Sequence, residues 1–247
     1  MKRYWNGFWM CQSMFCAIPC PCKIWDEKAR PLMLLFLAVI GLEMGLLWAA
    51  LGGICRWLSL PQLVTGLVLC AFPYLVSGFL HLDGFMDTVD AVGSCRSLEQ
   101  RREILKDSHV GSFAAIGCCL LMMATFAFCT SAEADASILI FIPVVSRCCS
   151  ALAVTILRPM NSSQYSGSFR EGIRKSHPAI LLAMLTAAFA LAWLLCGYMT
   201  LVLLGELIGY ALALRKGYAS LDGMNGDISG FALTLSELTG LAIWAVL

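Results

Sequence analysis

The chain has 247 residues, 60% of them hydrophobic and 13% charged. Soluble domains carry about a quarter charged residues, so this composition excludes an ordinary water-soluble globule and makes the bilayer the natural solvent. The formal net charge of +1 says nothing about partners, and there is no basic tail of the kind that binds nucleic acid, so no nucleic-acid partner is expected.

The first stretch, MKRYWNGFWMCQSMFCAIPCP, has a basic start and an apolar middle, as a signal peptide does. Asn6, Gln12 and Ser13 interrupt it, and it has no small-residue cleavage site. An amphipathic or interfacial lead-in over 1–31 is expected instead, with Trp5, Trp9 and Trp25 at headgroup level. Cys11, Cys16, Cys20 and Cys22 lack zinc-ligand spacing and a nearby histidine. They read, like the rest of the 13 cysteines, as small hydrophobes.

Seven apolar runs follow, at about 32–52, 60–80, 110–130, 137–157, 178–198, 200–214 and 231–247. A crossing needs ~17–25 residues; the first five runs qualify, the sixth is short and the seventh is marginal. Backbone groups in lipid must be satisfied within the segment, so these are helices, and the lack of period-2 alternation argues against a barrel. The expected fold is all-α: one polytopic integral membrane domain over 1–247, a bundle of six to seven transmembrane helices. With seven spans, every Lys and Arg except Arg56 and Arg147 falls in the loops or tail of one side, 15 of 17. The positive-inside rule puts that side, and the N-terminus, in the cytoplasm.

Between the second and third runs lies HLDGFMDTVDAV, 81–92. Asp83, Asp87 and Asp90 are spaced i, i+4 and i+7. On a helix they share an arc of about 60°, so three anions would stack on one face and repel. A divalent cation relieves this: Mg²⁺ takes carboxylate oxygens and keeps positions for water and phosphate. A solvated loop with scattered acids is the alternative. The continuation, GSCRSLEQRREILKDSHVGSF, offers a capping box at Ser97 and Gln100 and a short helix over about 98–107. Acids followed by Arg96, Arg101, Arg102 and Lys106 make 81–109 a cytoplasmic catalytic loop suited to a metal–diphosphate complex. Positive-inside topology with anionic lipid contact accounts for the bases but not for the acids.

HLDGFMDTVDAVGS with RSLEQRREILKDSHVGSFAAIG, residues 81–117, closely resembles the signature of the cobalamin synthase family. FCAIPCP (15–21), WDE (25–27), SRCCSALAVTILRP (146–159) and GMNGDISGFALTLSEL (223–238) extend the resemblance along nearly the whole chain. The chain departs from the family pattern at Ala17 (usually Arg), Ala38 (Pro), Ala91 (Gly), Asp222 (Gly) and Asn225 (Thr). The resemblance implies transfer of α-ribazole, or its 5′-phosphate, onto adenosylcobinamide-GDP with release of GMP, the final nucleotide-loop assembly step of cobalamin biosynthesis. It implies Mg²⁺ as cofactor and a bacterial or archaeal cytoplasmic membrane as location. Self-association, or contact with other corrinoid-assembly enzymes, is the protein partnership such a small bundle invites.

The expected site follows. Asp83, Asp87 and Asp90 hold Mg²⁺. Arg96, Arg101, Arg102 and Ser108 contact substrate phosphates. Lys106 is grouped with the catalytic residues, and His81 and Asp107 are candidates to take the hydroxyl proton. Arg147, inside a span, is expected to pair with Glu237 at comparable depth and to support or bind substrate; Glu43 and Glu206 read as structural. Asn225 and Asp227 read equally as a turn with a helix cap or, by the resemblance, as substrate-binding groups. Two other classes stay open: a transporter, with acids at midplane in paired halves, and another membrane phosphotransferase acting on a nucleotide-activated alcohol.

Overall fold

The computed structural model describes residues 2–133, 135–160 and 172–247. Among them every regular element is helical: α1 (Lys2–Phe15), α2 (Arg30–Trp57), α3 (Gln62–Val76), α4 (Leu80–Gly93), α5 (Leu98–Ile104), α6 (Ser112–Ser131), α7 (Ile142–Ile156), α8 (Ser176–Cys196), α9 (Leu201–Leu221) and α10 (Gly226–Trp244). Short 3-10 turns precede α2, α7 and α9. The expected all-α bundle is what the chain forms.

All seven apolar runs are helical, but among the described residues four helical stretches pass a test of length and composition for crossing a bilayer alone, or five with α3 and α4 taken together. Length and composition alone do not decide between this tally and the six to seven spans expected, for three reasons. α3 has just 15 residues. α8 and α9 join through a 3-10 turn into one 46-residue stretch, more than twice the ~20 residues of one crossing. α10 carries Asp227 and Glu237, which lower its hydropathy.

α7 and α10 form the centre. Thirteen of the 15 residues of α7 are buried, so it is enclosed rather than lipid-facing; α2, α8, α9 and α10 surround it. The periphery is apolar: Leu67, Ile116, Leu120, Met123, Leu194 and Leu195 are each about 60% exposed or more. A water-soluble monomer does not present such an expanse; lipid covers it at no cost. Small residues set the closest crossings. Gly41 and Gly45 of α2, four apart on one face, lie against the backbone of Pro143 and Ile140, a small-xxx-small contact of the kind that binds helices in lipid.

α1 is docked, not free. Its buried face, including Asn6, Met10 and Gln12, packs on α2, and Tyr4 and Trp5 are exposed on the other side. Asn6 donates to Asp26 at 3.0 Å and Gln12 to Glu43 at 3.2 Å, so the intramembrane Glu43 has a partner.

Two local devices position α4. Pro73 inside α3 has no N–H for the carbonyl of Leu69, four residues back. Trp48 Nε1 of α2 donates to that carbonyl at 2.9 Å. Ser77 then closes the helix by donating to Pro73 O at 2.8 Å. Gly78 and Phe79 both adopt left-handed backbone, φ +60° and +62°, and the chain turns by 89° into α4. The 81–109 stretch, expected as a cytoplasmic catalytic loop with a short helix over about 98–107, holds two helices: α4 across the end of the bundle, then α5.

Helix ends sort onto two faces. On one, the ends of α7 and α9 meet α5: Arg158 of the α7 end bonds Asp222 just past α9, and Arg102 of α5 bonds Leu221 O and Asp222 O. On the other, Gln62 bonds Thr130 O and Trp244 Nε1 donates to Asp135 O. This sorting matches the alternation expected of the seven runs.

Candidate active site

The site is built where α4 crosses α10. Both helices are glycine at the crossing. A Cβ on Gly84 would lie 2.9 Å from Asp227 Cα, and one on Gly230 would lie 2.9 Å from His81 O. Only hydrogen at these positions lets the backbones come this close. The close approach brings Asp227, from the far end of the sequence, beside the aspartates of α4.

These carboxylates lie outside the apolar spans. Asp83 is exposed; Asp87, Asp90 and Asp227 are half-buried. Burial first, then the charges of Asp83, Asp227 and Asp90, raise the Asp87 carboxyl from its ordinary 3.8 to about 6. Burial first, together with Asp83, raises Asp227 to about 6, against the lowering effect of its bond from Asn225. Among the described residues none of the four forms an ion pair. Four neighbouring anionic groups without a cation fit a site for a hard divalent ion, whose preferred ligands are carboxylate oxygens. Among the described residues no three His, Cys, Asp or Glu side chains are already gathered tightly enough to enclose an ion. Asp90 also has a protein partner: its Oδ1 accepts from the Ala114 N–H in the first turn of α6, at 3.4 Å, where a negative charge meets the positive end of the helix dipole.

Asn225 is the helix cap that the sequence offered as one reading, and it also reaches Asp227. Its Oδ1 accepts from Ile228 N at 2.9 Å, capping α10, and its Nδ2 donates to Asp227 at 2.6 Å. A threonine hydroxyl can likewise accept one bond and donate another, so the change to asparagine keeps the capacity for both contacts. The other departure, Asp222, also has a physical account. It is left-handed, φ +54°, a conformation aspartate tolerates better than most residues. Its carboxylate joins Arg102 and Arg158. Sequence reasoning missed this tie; the only signal was the loss of a family glycine.

A cavity of about 290 Å³ opens beside the carboxylates. His81, Asp83, Ser150, Asn225, Asp227 and Ser229 line its polar part, and α1, α2 and α7 supply an apolar wall. His81 Nε2 is shielded from solvent with no partner among the described residues. Burial, then the charge of Arg147, hold the ring neutral, with a pKa lowered to about 3. Ser150 and Ser229 bond each other at 2.5 Å. Neither serine was singled out from sequence, because nothing in a single apolar helix marks which hydroxyl faces a cavity.

The remaining expected groups divide. Ser97 and Gln100 form the predicted capping box, and α5 ends at Ile104, short of the expected 107. Arg101 donates to Ser220 O, and Arg102 to Leu221 O and Asp222 O. Both arginines thus neutralise the carbonyl end of α9, which corrects the expectation that they stand open to phosphate. Arg96, Lys106 and Ser108 are exposed and, among the described residues, neither Arg96 nor Lys106 is in an ion pair. Asp107 is exposed and occupied by His109, whose Nδ1 is 2.6 Å away; that contact holds Asp107 below the usual carboxylate range. The pair stands apart from the cavity lining, so Asp107 is not placed to take a proton there.

Arg147 and Glu237 pair as expected, at 2.6 Å, with Ser146 also donating to Glu237 at 2.8 Å. Arg147 is 1% exposed, so it supports the site from within the bundle and has no open face for substrate. Glu206, read from the sequence as structural, is fully buried, and neither carboxylate oxygen has a partner among the described residues.

The sequence model of the family described as "Cobalamin-5-phosphate synthase" matches residues 7–245. The chain is 34% identical over 252 residues to the adenosylcobinamide-GDP ribazoletransferase of Clostridium perfringens (strain SM101 / Type A), covering 100% of both chains. It is 31% identical to the protein of that name from Clostridium botulinum (strain Alaska E43 / Type E3), covering 98% of this chain and 97% of the relative. A third, from Lachnoclostridium phytofermentans, is 31% identical over 98% of this chain and 94% of its own. No solved structure matches the chain. With an aspartate-rich helix crossed by a second aspartate, a match over nearly its whole length and relatives covered end to end, this chain belongs to the cobalamin-5-phosphate synthase family.

Proposed function

We propose that the protein is a Mg²⁺-dependent transferase that joins adenosylcobinamide-GDP to α-ribazole, free or 5′-phosphorylated, and releases GMP. The observation that carries this reading is the group of carboxylates at the α4–α10 crossing, which among the described residues has no cation paired with it. A ribose hydroxyl oxygen bonds to the phosphorus next to cobinamide, the bond from that phosphorus to the bridging oxygen breaks, and the bridging oxygen leaves with GMP. Such a displacement asks the protein for positioning and charge neutralisation more than for covalent help.

Asp83, Asp87 and Asp90 of α4, with Asp227 of α10, would hold Mg²⁺, which when bound would supply charge neutralisation to the diphosphate and the departing GMP. Asn225 fixes the Asp227 carboxylate. His81 offers its unpartnered Nε2 to the attacking hydroxyl. Arg96 and Lys106, exposed beyond α4, meet phosphoryl oxygens as the substrate settles, and Ser108 donates beside them. The charged face lies on the cytoplasmic side of a prokaryotic inner membrane, an orientation that the distribution of Lys and Arg supports.

Detergent-purified protein with adenosylcobinamide-GDP, α-ribazole and Mg²⁺ is expected to release GMP, measured by chromatography, and to stop when EDTA is added. GMP release that is unchanged by EDTA removes the metal from the reading. A chain that binds neither substrate removes the reading altogether.

A further inference from the structure

We infer that the cavity beside the carboxylates is the seat of the acceptor nucleoside, with its flat base against α1, α2 and α7 and its ribose toward α4 and α10. The inference rests on the reaction proposed above and names a subsite within it.

Size excludes the larger substrate. At about 290 Å³ the cavity lies at the low end of small-molecule pockets, about 300–1,000 Å³. A corrin ring with its side chains cannot enter; a single nucleoside can.

The lining has the polarity of a nucleoside. Phe15 of α1, Leu34 and Leu37 of α2, Leu80 of α4 and Val154 of α7 form an apolar wall. Phe15, Leu34, Leu37 and Val154 are each at most 7% exposed, so the wall is supported from behind and keeps its shape. The Phe15 ring lies parallel to His81, centroids 6.3 Å apart and planes within 13°, which gives a flat guest an aromatic edge to pack along. A fused benzene–imidazole base is apolar along its benzene side and carries ring nitrogens at the other. Burying that benzene side against aliphatic carbon is favourable, about 25 cal/mol per Å² removed from water.

The other half of the cavity carries the groups a ribose needs. Ser150 and Ser229 spend their hydrogen bonds on each other and can turn toward a sugar hydroxyl. His81 Nε2 has no partner to give up. Asp83 and Asp227 belong both to this lining and to the carboxylate group. A hydroxyl at the polar end therefore lies where the diphosphate is held. The cavity joins apolar depth to the reacting end in the order that base, ribose and hydroxyl follow along the acceptor.

Base specificity then resides in Leu37 and Val154, and the lead-in helix α1 becomes part of the enzyme's recognition surface through Phe15. Initial rates of GMP release by the full chain in detergent, with each substrate varied in turn, test this. Leu37→Phe and Val154→Phe fill the apolar end. Each is expected to raise KM for α-ribazole about tenfold or more, the discrimination one to a few methylenes supply, with KM for adenosylcobinamide-GDP within about twofold of wild type. Equilibrium dialysis of α-ribazole should show the same loss. A filled variant that keeps its KM for α-ribazole, or that loses affinity for adenosylcobinamide-GDP instead, overturns the assignment. Where a filled variant fails to insert, Leu37→Ala replaces it. The enlarged wall is expected to shift kcat/KM about tenfold toward a tricyclic naphthimidazole riboside over α-ribazole, and an unchanged ratio overturns the assignment. Absence of turnover in the wild type removes the reaction itself; turnover with unaltered acceptor preference in the variants removes only the subsite.

Discussion

Gly84→Ala is the sharpest test of how the site is assembled. The added Cβ would lie 2.9 Å from Asp227 Cα and 3.1 Å from Asp227 O, where ordinary contact begins at 3.4 Å. The obstacle is backbone, so no side chain can swing aside; restoring ordinary contact takes a separation of α4 and α10 of 3.4 − 2.9 = 0.5 Å. Overpacking of this kind costs about 1–3 kcal/mol. The larger effect falls on activity, because the same separation carries Asp227 away from Asp83 and Asp87. A misplacement of about 1 Å can cost 10²-fold in rate, so a loss of about tenfold or more in kcat is expected. Gly53→Ala is the control: a Cβ there meets nothing within 4 Å, and alanine favours the helix by about 0.5–1 kcal/mol. Both variants would be compared for GMP release and for melting temperature in detergent. Wild-type turnover by Gly84→Ala, in protein that inserts normally, refutes the claim that this contact sets the carboxylate geometry.

Asp87→Asn should abolish GMP release while leaving the melting temperature unchanged or raised, since it removes one of several mutually repelling charges; normal activity takes Asp87 out of the metal site. Asp87 and Asp227, each raised from 3.8 to about 6, hold protons in the metal-free folded state between about pH 4 and 6 that the unfolded chain releases. Their contribution to stability therefore grows as pH falls through that window, and Mg²⁺ has to displace the same protons. Calorimetric Mg²⁺ affinity should be level above pH 7 and fall by up to about tenfold per unit for each carboxylate below 6; a flat profile from pH 5 to 8 contradicts this. Arg147→Met strands the Glu237 carboxylate inside the bundle and should cost about 3–5 kcal/mol; adding Glu237→Gln should recover most of the loss, as read by thermal melts. Trp48→Phe leaves the Leu69 carbonyl, freed by Pro73, without its donor, at about 1–3 kcal/mol; an unchanged melting temperature would show that another donor takes over.

The helices were legible because lipid enforces them: a long apolar run has no alternative to satisfying its own backbone, so every predicted run is helical. Their number of crossings was harder to read. Pro73 and the left-handed pair after Ser77 shorten α3, and Asp227 and Glu237 make the most central helix one of the less hydropathic. The Asp83, Asp87 and Asp90 spacing places three carboxylates on one helix face, and Arg147 and Glu237 could be matched because unpaired charges at that depth are so costly. The roles of the arginines on α5 were not legible. A basic side chain near an acidic motif looks the same whether it meets phosphate or the carbonyl end of a helix about 120 residues away, as Arg101 and Arg102 do. The apolar wall of the cavity was invisible for a related reason, since Leu34, Leu37 and Val154 look like any other aliphatic residues of a span.

The left-handed pair at 78 and 79 works as a crank between bilayer and chemistry. α3 spans about 22 Å at 1.5 Å per residue, less than the ~30 Å of a typical hydrocarbon layer, and such shortfalls are relieved by thinning the sheet or by re-tilting the segment. Any re-tilt swings α4 like a lever arm over α10. GMP release in vesicles of short and of long acyl chains is therefore expected to differ, and equal rates would show that α4 keeps its place on α10.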